Sequence, residues 1–140
     1  MAQISKRTHD CTIFLLAKAY QKTHGQFKAK LRPYNLTNLQ HLVLEGLWIE
    51  EGVTAADLGK LLVMDKATLS GVLDRMLDSE WIRKESDPDD GRVFRLYTTE
   101  KTAALKEELI ELRVSANEEM LNSFNREEEV LFKRLLRDLA

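Results

Sequence analysis

The stretch Thr54–Thr98 constrains this chain more than any other. It reads as two apolar segments of helical period around a short break, then two strand-like runs around a charged turn. Thr54 is placed to cap the first helix, and Asp57, three residues on, approaches a capping-box pattern. Ala55, Leu58, Leu61 and Leu62 recur at helical spacing and share a face. Gly59 is unexpected there, because glycine inside a helix costs about 1 kcal/mol against alanine. Its presence predicts a close approach of another helix. Asp65 is the next cap candidate. Ala67, Val72, Leu73, Met76 and Leu77 then give a second amphipathic helix, running to about Ser79. Lys66, Thr68, Ser70 and Gly71 fall at its start, off the apolar stripe.

The hairpin is equally local in origin. Ile82 to Glu85 can form a strand, and Val93 to Thr98 alternates so that one face can be buried. Between them lies Ser-Asp-Pro-Asp-Asp-Gly-Arg, in which Pro88 and Gly91 are turn residues and the aspartates can bond nearby backbone. Two helices around a tight turn, followed by this hairpin, make a winged helix-turn-helix. Such a unit sets the start of one helix in the major groove of DNA and a loop beside it. A loop with three aspartates is repelled by phosphate, so two readings stand. The tip is solvated and inert, or Asp90 holds Arg92 or a recognition-helix arginine while Arg92 reaches the minor groove.

The expected fold class is mostly α with a small antiparallel β wing. A chain of 140 residues is read as one domain, with a DNA-binding lobe over 36–98 and dimerisation helices over 1–32 and 103–140. No apolar run reaches transmembrane length and no signal-peptide pattern is present, so a soluble, cytoplasmic protein without membrane contact is expected. The single Cys11 excludes an internal disulfide and any multi-cysteine metal site. The net charge of −2 argues against indiscriminate coating of nucleic acid. Residues 54–98 hold seven basic and nine acidic side chains, so DNA binding would rest on a few placed cations.

The flanks read as scaffolding. A long helix over 6–31 carries Ile13, Leu16, Tyr20, Phe27 and Leu31, and Pro33 ends it. Thr37 to Glu50 is a second helix. Thr99 caps a third, with Leu105, Leu109, Leu112, Ala116 and Met120 in a stripe, and Asn125 begins a fourth carrying Val130, Leu131, Leu135 and Leu139. The apolar faces of the first and last helices exceed what one short domain can cover. Packing between two protomers would bury them and relate two recognition helices by the twofold axis that palindromic DNA requires.

The ordered set of motifs resembles the MarR family over nearly the whole length. Asn35-Leu-Thr-Asn-Leu-Gln resembles the entry to that family's second helix, and Thr54-Ala-Ala-Asp-Leu-Gly-Lys-Leu-Leu its first helix-turn-helix element. Asp65-Lys-Ala-Thr-Leu-Ser-Gly-Val-Leu-Asp-Arg-Met resembles the recognition helix. Asp87-Pro-Asp-Asp-Gly-Arg, with Leu96-Tyr-Thr-Thr-Glu-Lys101, resembles the wing and the exit into the dimer helix. The resemblance implies a homodimeric winged helix regulator, such as a repressor, on a pseudo-palindromic double-stranded operator. A small molecule, often an aromatic acid, would release it. Carried over by position, Lys66, Thr68 and Ser70 would face bases or phosphates, Arg75 would sit near phosphate or Asp90, and Arg92 would enter the minor groove. Gly71 stands where many members have a DNA-contacting arginine, which puts base contacts there in doubt. Thr102 replaces a common glycine, a change from which little effect is expected.

The first helix, Phe14-Leu-Leu-Ala-Lys-Ala-Tyr20, and the recognition helix are similar to a branch responding to aromatic acids or their coenzyme A thioesters. An anionic aromatic ligand needs a cation or donors beside apolar walls. Lys18, Tyr34, His41 and Trp48 are the candidates. Each also has an ordinary reading: Lys18 solvated, Tyr34 and Trp48 in the core, His41 a satisfied polar residue. Some members sense peroxides through a cysteine in the first helix, but the match through Asn35-Leu-Thr puts Ile13, not Cys11, nearest that position. A cysteine-based redox regulator and a winged helix that binds protein but not DNA remain alternatives. The histidines His9, His24 and His41 have no metal-ligand spacing, and no nucleophile elbow or phosphate loop is present, so neither an enzyme nor a cofactor is expected.

Overall fold

The structure, a computed structural model, describes residues 9–140. The part of the first helix expected over 6–8 lies outside the described residues. The described residues form two compact units, one from Lys28–Ile110 and one from 9–27 with Glu111–Ala140.

The unit over Lys28–Ile110 holds the helix-turn-helix. Helix α1 (Thr12–Leu31) stops where Pro33 enters, and Arg32–Tyr34 tightens into a single 3-10 turn with the proline in its first turn. Asn35 closes that turn in the left-handed region at φ 55°, a conformation its short polar side chain tolerates. Helix α2 (Asn38–Ile49) opens with a capping box. Gln40 N–H donates to the Thr37 hydroxyl at 3.2 Å and Thr37 N–H to the Gln40 side chain at 2.9 Å. Helix α3 (Ala55–Leu62) is capped by Thr54 and helix α4 (Lys66–Asp78) by Asp65, as their sequence positions require. Leu31, Val43, Leu44, Leu47, Leu58, Leu69, Val72, Met76, Ile82 and Leu96 are buried in this unit.

Two glycines record how closely the helices approach. A Cβ on Gly59 would lie 3.3 Å from Leu69 Cδ2, which is the α3–α4 contact that its helical position predicts. A Cβ on Gly46 would lie 2.7 Å from Leu58 Cδ1, so α2 and α3 meet where only a hydrogen fits.

The wing differs from the expected two-stranded hairpin. Strands β2 (Ile82–Ser86) and β3 (Phe94–Thr98) pair antiparallel from Ile82–Thr98 to Ser86–Phe94. A third strand, β1 (Val53–Thr54), pairs with the other edge of β3 through Val53–Leu96 and Thr54–Arg95, giving the order β1-β3-β2. The expected buried face of β3 narrows to Leu96. Phe94 is exposed, with Lys84 Nζ 4.7 Å from its ring centre.

Helix α5 (Glu100–Leu121) starts after Thr99, whose hydroxyl accepts from Thr102 N–H. Helix α6 (Arg126–Leu139) starts with a capping box between Asn125 and Glu128. In the terminal unit the Phe124 and Phe132 rings meet edge to face, and the Arg113 guanidinium lies 4.4 Å from the Phe27 ring centre. Ile13, Tyr20, Val130, Leu131, Leu135 and Leu139 of this unit are exposed. No described helix is long and apolar enough to cross a membrane.

Candidate nucleic-acid interface

The start of α4 is built outward from Asp65. Its carboxylate accepts from Thr68 N–H at 2.8 Å and from the Thr68 hydroxyl at 2.6 Å. The hydroxyl, then the backbone N–H of Thr68, hold the Asp65 carboxyl below the usual carboxylate range. Lys66, Thr68 and Ser70 are exposed around this cap. Thr68 keeps its acceptor lone pairs, but its proton is committed to Asp65. A Cβ on Gly71 would meet Arg75 Nη1 at 3.8 Å, an ordinary contact distance. Where Gly71 withholds a side chain, the guanidinium of the next turn is nearby.

The wing turn is held by two aspartate–arginine pairs. Asp90 Oδ1 accepts from Arg92 N–H at 3.0 Å and from Arg92 Nε at 3.1 Å, and Oδ2 accepts from Nη2 at 3.3 Å. Of the two partners expected for Asp90, this structure gives Arg92. The Arg92 side chain is 92% exposed, so the pairing directs it without burying it. Asp87 was not among the expected site residues. Its Oδ1 accepts from the N–H groups of Asp89 (2.8 Å) and Asp90 (3.1 Å), and its Oδ2 accepts from Arg95 Nε at 2.6 Å. Arg95 also donates to the Gly52 carbonyl at 2.7 Å. The Asp89 N–H, then Arg95, hold the Asp87 carboxyl low, while the Arg92 guanidinium does the same for Asp90. Two of the three turn aspartates are thus matched by a guanidinium. That reduces the phosphate repulsion which their count alone suggests.

The residues proposed for a ligand fall in both units. Lys18 is exposed in the terminal unit, 5.6 Å from the Phe14 ring centre. The other three lie within Lys28–Ile110. The Tyr34 hydroxyl donates to the Glu108 carboxylate, a bond that raises the Tyr34 hydroxyl above its ordinary value. His41 is fully buried, and its Nε2 donates to the Leu109 carbonyl at 2.8 Å, with Nδ1 3.6 Å from Glu45. Trp48 meets His41 edge to face at 6.0 Å, and its buried indole N–H has no partner among the described residues. Tyr34 and His41 therefore attach to adjacent residues of α5. A separate cavity of about 940 Å³ lies among α3, α4 and the wing, lined by Gly59, Leu69, Leu73, Lys84, Phe94 and Leu96 among others. None of the four proposed residues lines it.

Thr102 corrects an expectation. It is fully buried, and its hydroxyl donates to the Trp81 carbonyl at 2.6 Å. A glycine there would leave out both the hydroxyl and its bond. Cys11 is a free, exposed thiol.

A capped helix start with an exposed cation, beside an arginine-tipped hairpin on a three-stranded sheet, defines a winged helix protein. The MarR family model matches residues 36–94. The HTH-type transcriptional repressor NicR of Pseudomonas putida is 31% identical over 125 residues, covering 89% of this chain and 79% of that protein. The chain belongs to the MarR family. Its fold is similar to that of Bordetella bronchiseptica BpsR, whose DNA binding is regulated by 6-hydroxynicotinic acid (TM-score 0.86, 27% identity, 93% of each chain). It is also similar to an E. coli MarR mutant complexed with operator DNA (TM-score 0.82, 25% identity, 89% of this chain and 90% of that one).

Proposed function

We propose that this chain is a sequence-specific DNA-binding transcriptional repressor, working as a homodimer on a pseudo-palindromic operator and released by a small aromatic acid. The observation that carries the DNA reading is the start of α4. There Lys66, Thr68 and Ser70 are exposed around one cap, next to a wing whose Arg92 is held outward by Asp90. Lys66, Ser70 and Arg75 would supply contacts to bases or phosphates, and Arg92 would reach the minor groove. A wing that only bound protein would not need these cations. The exposed apolar residues of α1 and α6 support a homodimer.

The aromatic-acid reading is supported by BpsR and its ligand. Tyr34, His41 and Trp48 supply hydroxyl, imidazole and indole groups within one unit, and the Trp48 N–H is without a partner among the described residues. Glu108 opposes an anion beside Tyr34, so an acid bound there would have to displace that carboxylate from the hydroxyl.

Selection from random duplexes, followed by titration of the selected site, tests the proposal. Arg92→Ala should weaken that site about 5- to 150-fold per half-site, the range for a good groove contact, and leave the fold intact. Equal affinity at fixed salt would remove Arg92 from the interface. Release of the selected duplex by 6-hydroxynicotinic acid or a related aromatic acid, and not by an aliphatic acid, would support the effector class.

A further inference from the structure

Three consecutive carbonyls at the end of the recognition helix each accept from a side chain of one four-residue run. Lys101 Nζ donates to the Ser79 carbonyl at 3.2 Å, the Thr99 hydroxyl to Glu80 at 2.8 Å, and the Thr102 hydroxyl to Trp81 at 2.6 Å. The Lys101 ammonium also lies 4.1 Å from the centre of the buried Trp81 ring. The two threonine hydroxyls are 3.1 Å apart, yet each proton is already committed to a carbonyl. Both therefore act on the turn and not on each other.

That turn needs holding. Trp81 N–H returns to Met76 O at 2.9 Å and Glu80 N–H to Leu77 O at 3.1 Å, the paired bonds of a left-handed helix end. Glu80 adopts φ 58° without being glycine, so the backbone is strained at the point the run grips. A full set of donors on carbonyls 79–81 offsets that strain and fixes where α4 ends.

We propose that Thr102, with Thr99 and Lys101, is a positioning residue for DNA recognition. By gripping the Ser79–Trp81 turn it sets the direction in which α4 presents Lys66, Thr68 and Ser70. A lever argument gives the scale. Helix α4 has 13 residues, so its first residue lies about 18 Å from its last. A rotation of about 5° at the gripped end moves the other end by about 1.6 Å, which is enough to lose a hydrogen bond to a base. Leu69, Val72, Leu73 and Met76 are buried along α4, and the gripped turn fixes the chain beyond Met76.

The inference rests on the DNA-binding reading, so the test separates the two. Full-length Thr102→Val removes the hydroxyl at nearly constant shape, and Thr102→Ser restores it. Amide exchange at residues 80–82 reads the turn without DNA. Affinities for the selected duplex and for a random duplex read recognition. The expected result is faster exchange and an approximately tenfold loss on the selected duplex in the valine variant. The random duplex should stay within about twofold, because phosphate contacts dominate there, and serine should restore wild-type behaviour. Lys101→Met, at an exposed position, should act in the same direction and keeps the test available if the valine variant does not fold. Faster exchange with unchanged selected-duplex affinity would overturn the positioning role and leave the DNA reading intact. Equal losses on both duplexes that serine does not restore would also overturn it. A wild-type protein that does not distinguish the two duplexes would refute the DNA reading and the positioning role with it.

Discussion

Asp87 and Arg95 close the wing on itself: Arg95 Nε donates to Asp87 Oδ2 at 2.6 Å, and the same guanidinium reaches the Gly52 carbonyl at the start of the sheet. The Asp87 side chain is only 9% exposed, and the Asp89 N–H, then Arg95, stabilise its charge. Arg95→Ala should lower the thermal midpoint more than Arg92→Ala, whose side chain is 92% exposed. In a double-mutant cycle with Asp87→Asn the losses should be smaller together than summed. Additive losses would show that the pair is not coupled.

The same aspartates predict an acid limb. Asp65, Asp87 and Asp90 all have carboxyls held low by hydrogen bonds and, in the wing, by guanidinium groups. A folded value below the unfolded one, about 3.9 for aspartate, contributes stability that is present above that pH. The contribution is lost as pH falls through the lower folded value. Urea midpoints should therefore drop as pH falls below about 4, and Asp87→Asn should flatten the drop. An unchanged slope in the variant would show that Asp87 does not contribute.

Val63 ends α3 in the left-handed region at φ 52° while 93% exposed. A β-branched residue is strained there and gains almost no packing in return. Val63→Asn should raise stability by about 1 kcal/mol, read by urea denaturation. A loss of stability would mean that the valine makes a contact which its exposure does not show.

Much of this was legible because it is local. Thr37, Thr54, Asp65 and Asn125 cap helices through bonds to residues three positions on, so a short window of sequence contains the whole cause. Pro33 and Gly59 are legible for similar reasons. What was missed depends on distant partners. Strand β1 has two residues and exists because Leu96 and Arg95 pair with it. Arg95 matters through a carbonyl 43 residues away, and Thr102 through one 21 away. Asp90 was singled out and Asp87 was not, since neither spacing nor residue type separates one turn aspartate from its neighbour. Gly46 carries the same mid-helix glycine signal as Gly59, but the partner it meets, Leu58 of the next helix, is not named by any short window of sequence.

The exposed Val130, Leu131, Leu135 and Leu139 of α6 predict what truncation does. A protein lacking 126–140 should sediment as a monomer, or as a dimer of much lower affinity. A truncated protein that remains a stable dimer would move the interface elsewhere.

The spacing of the operator tests the central claim. Two recognition helices on a twofold axis should meet half-sites about 10 bp apart. An insertion of about five base pairs turns one half-site to the opposite face of the duplex. The account predicts that the inserted duplex loses most of the affinity of the selected site and binds no better than random DNA. Unchanged affinity after the insertion, with random duplex competing as well as the selected site, would contradict it.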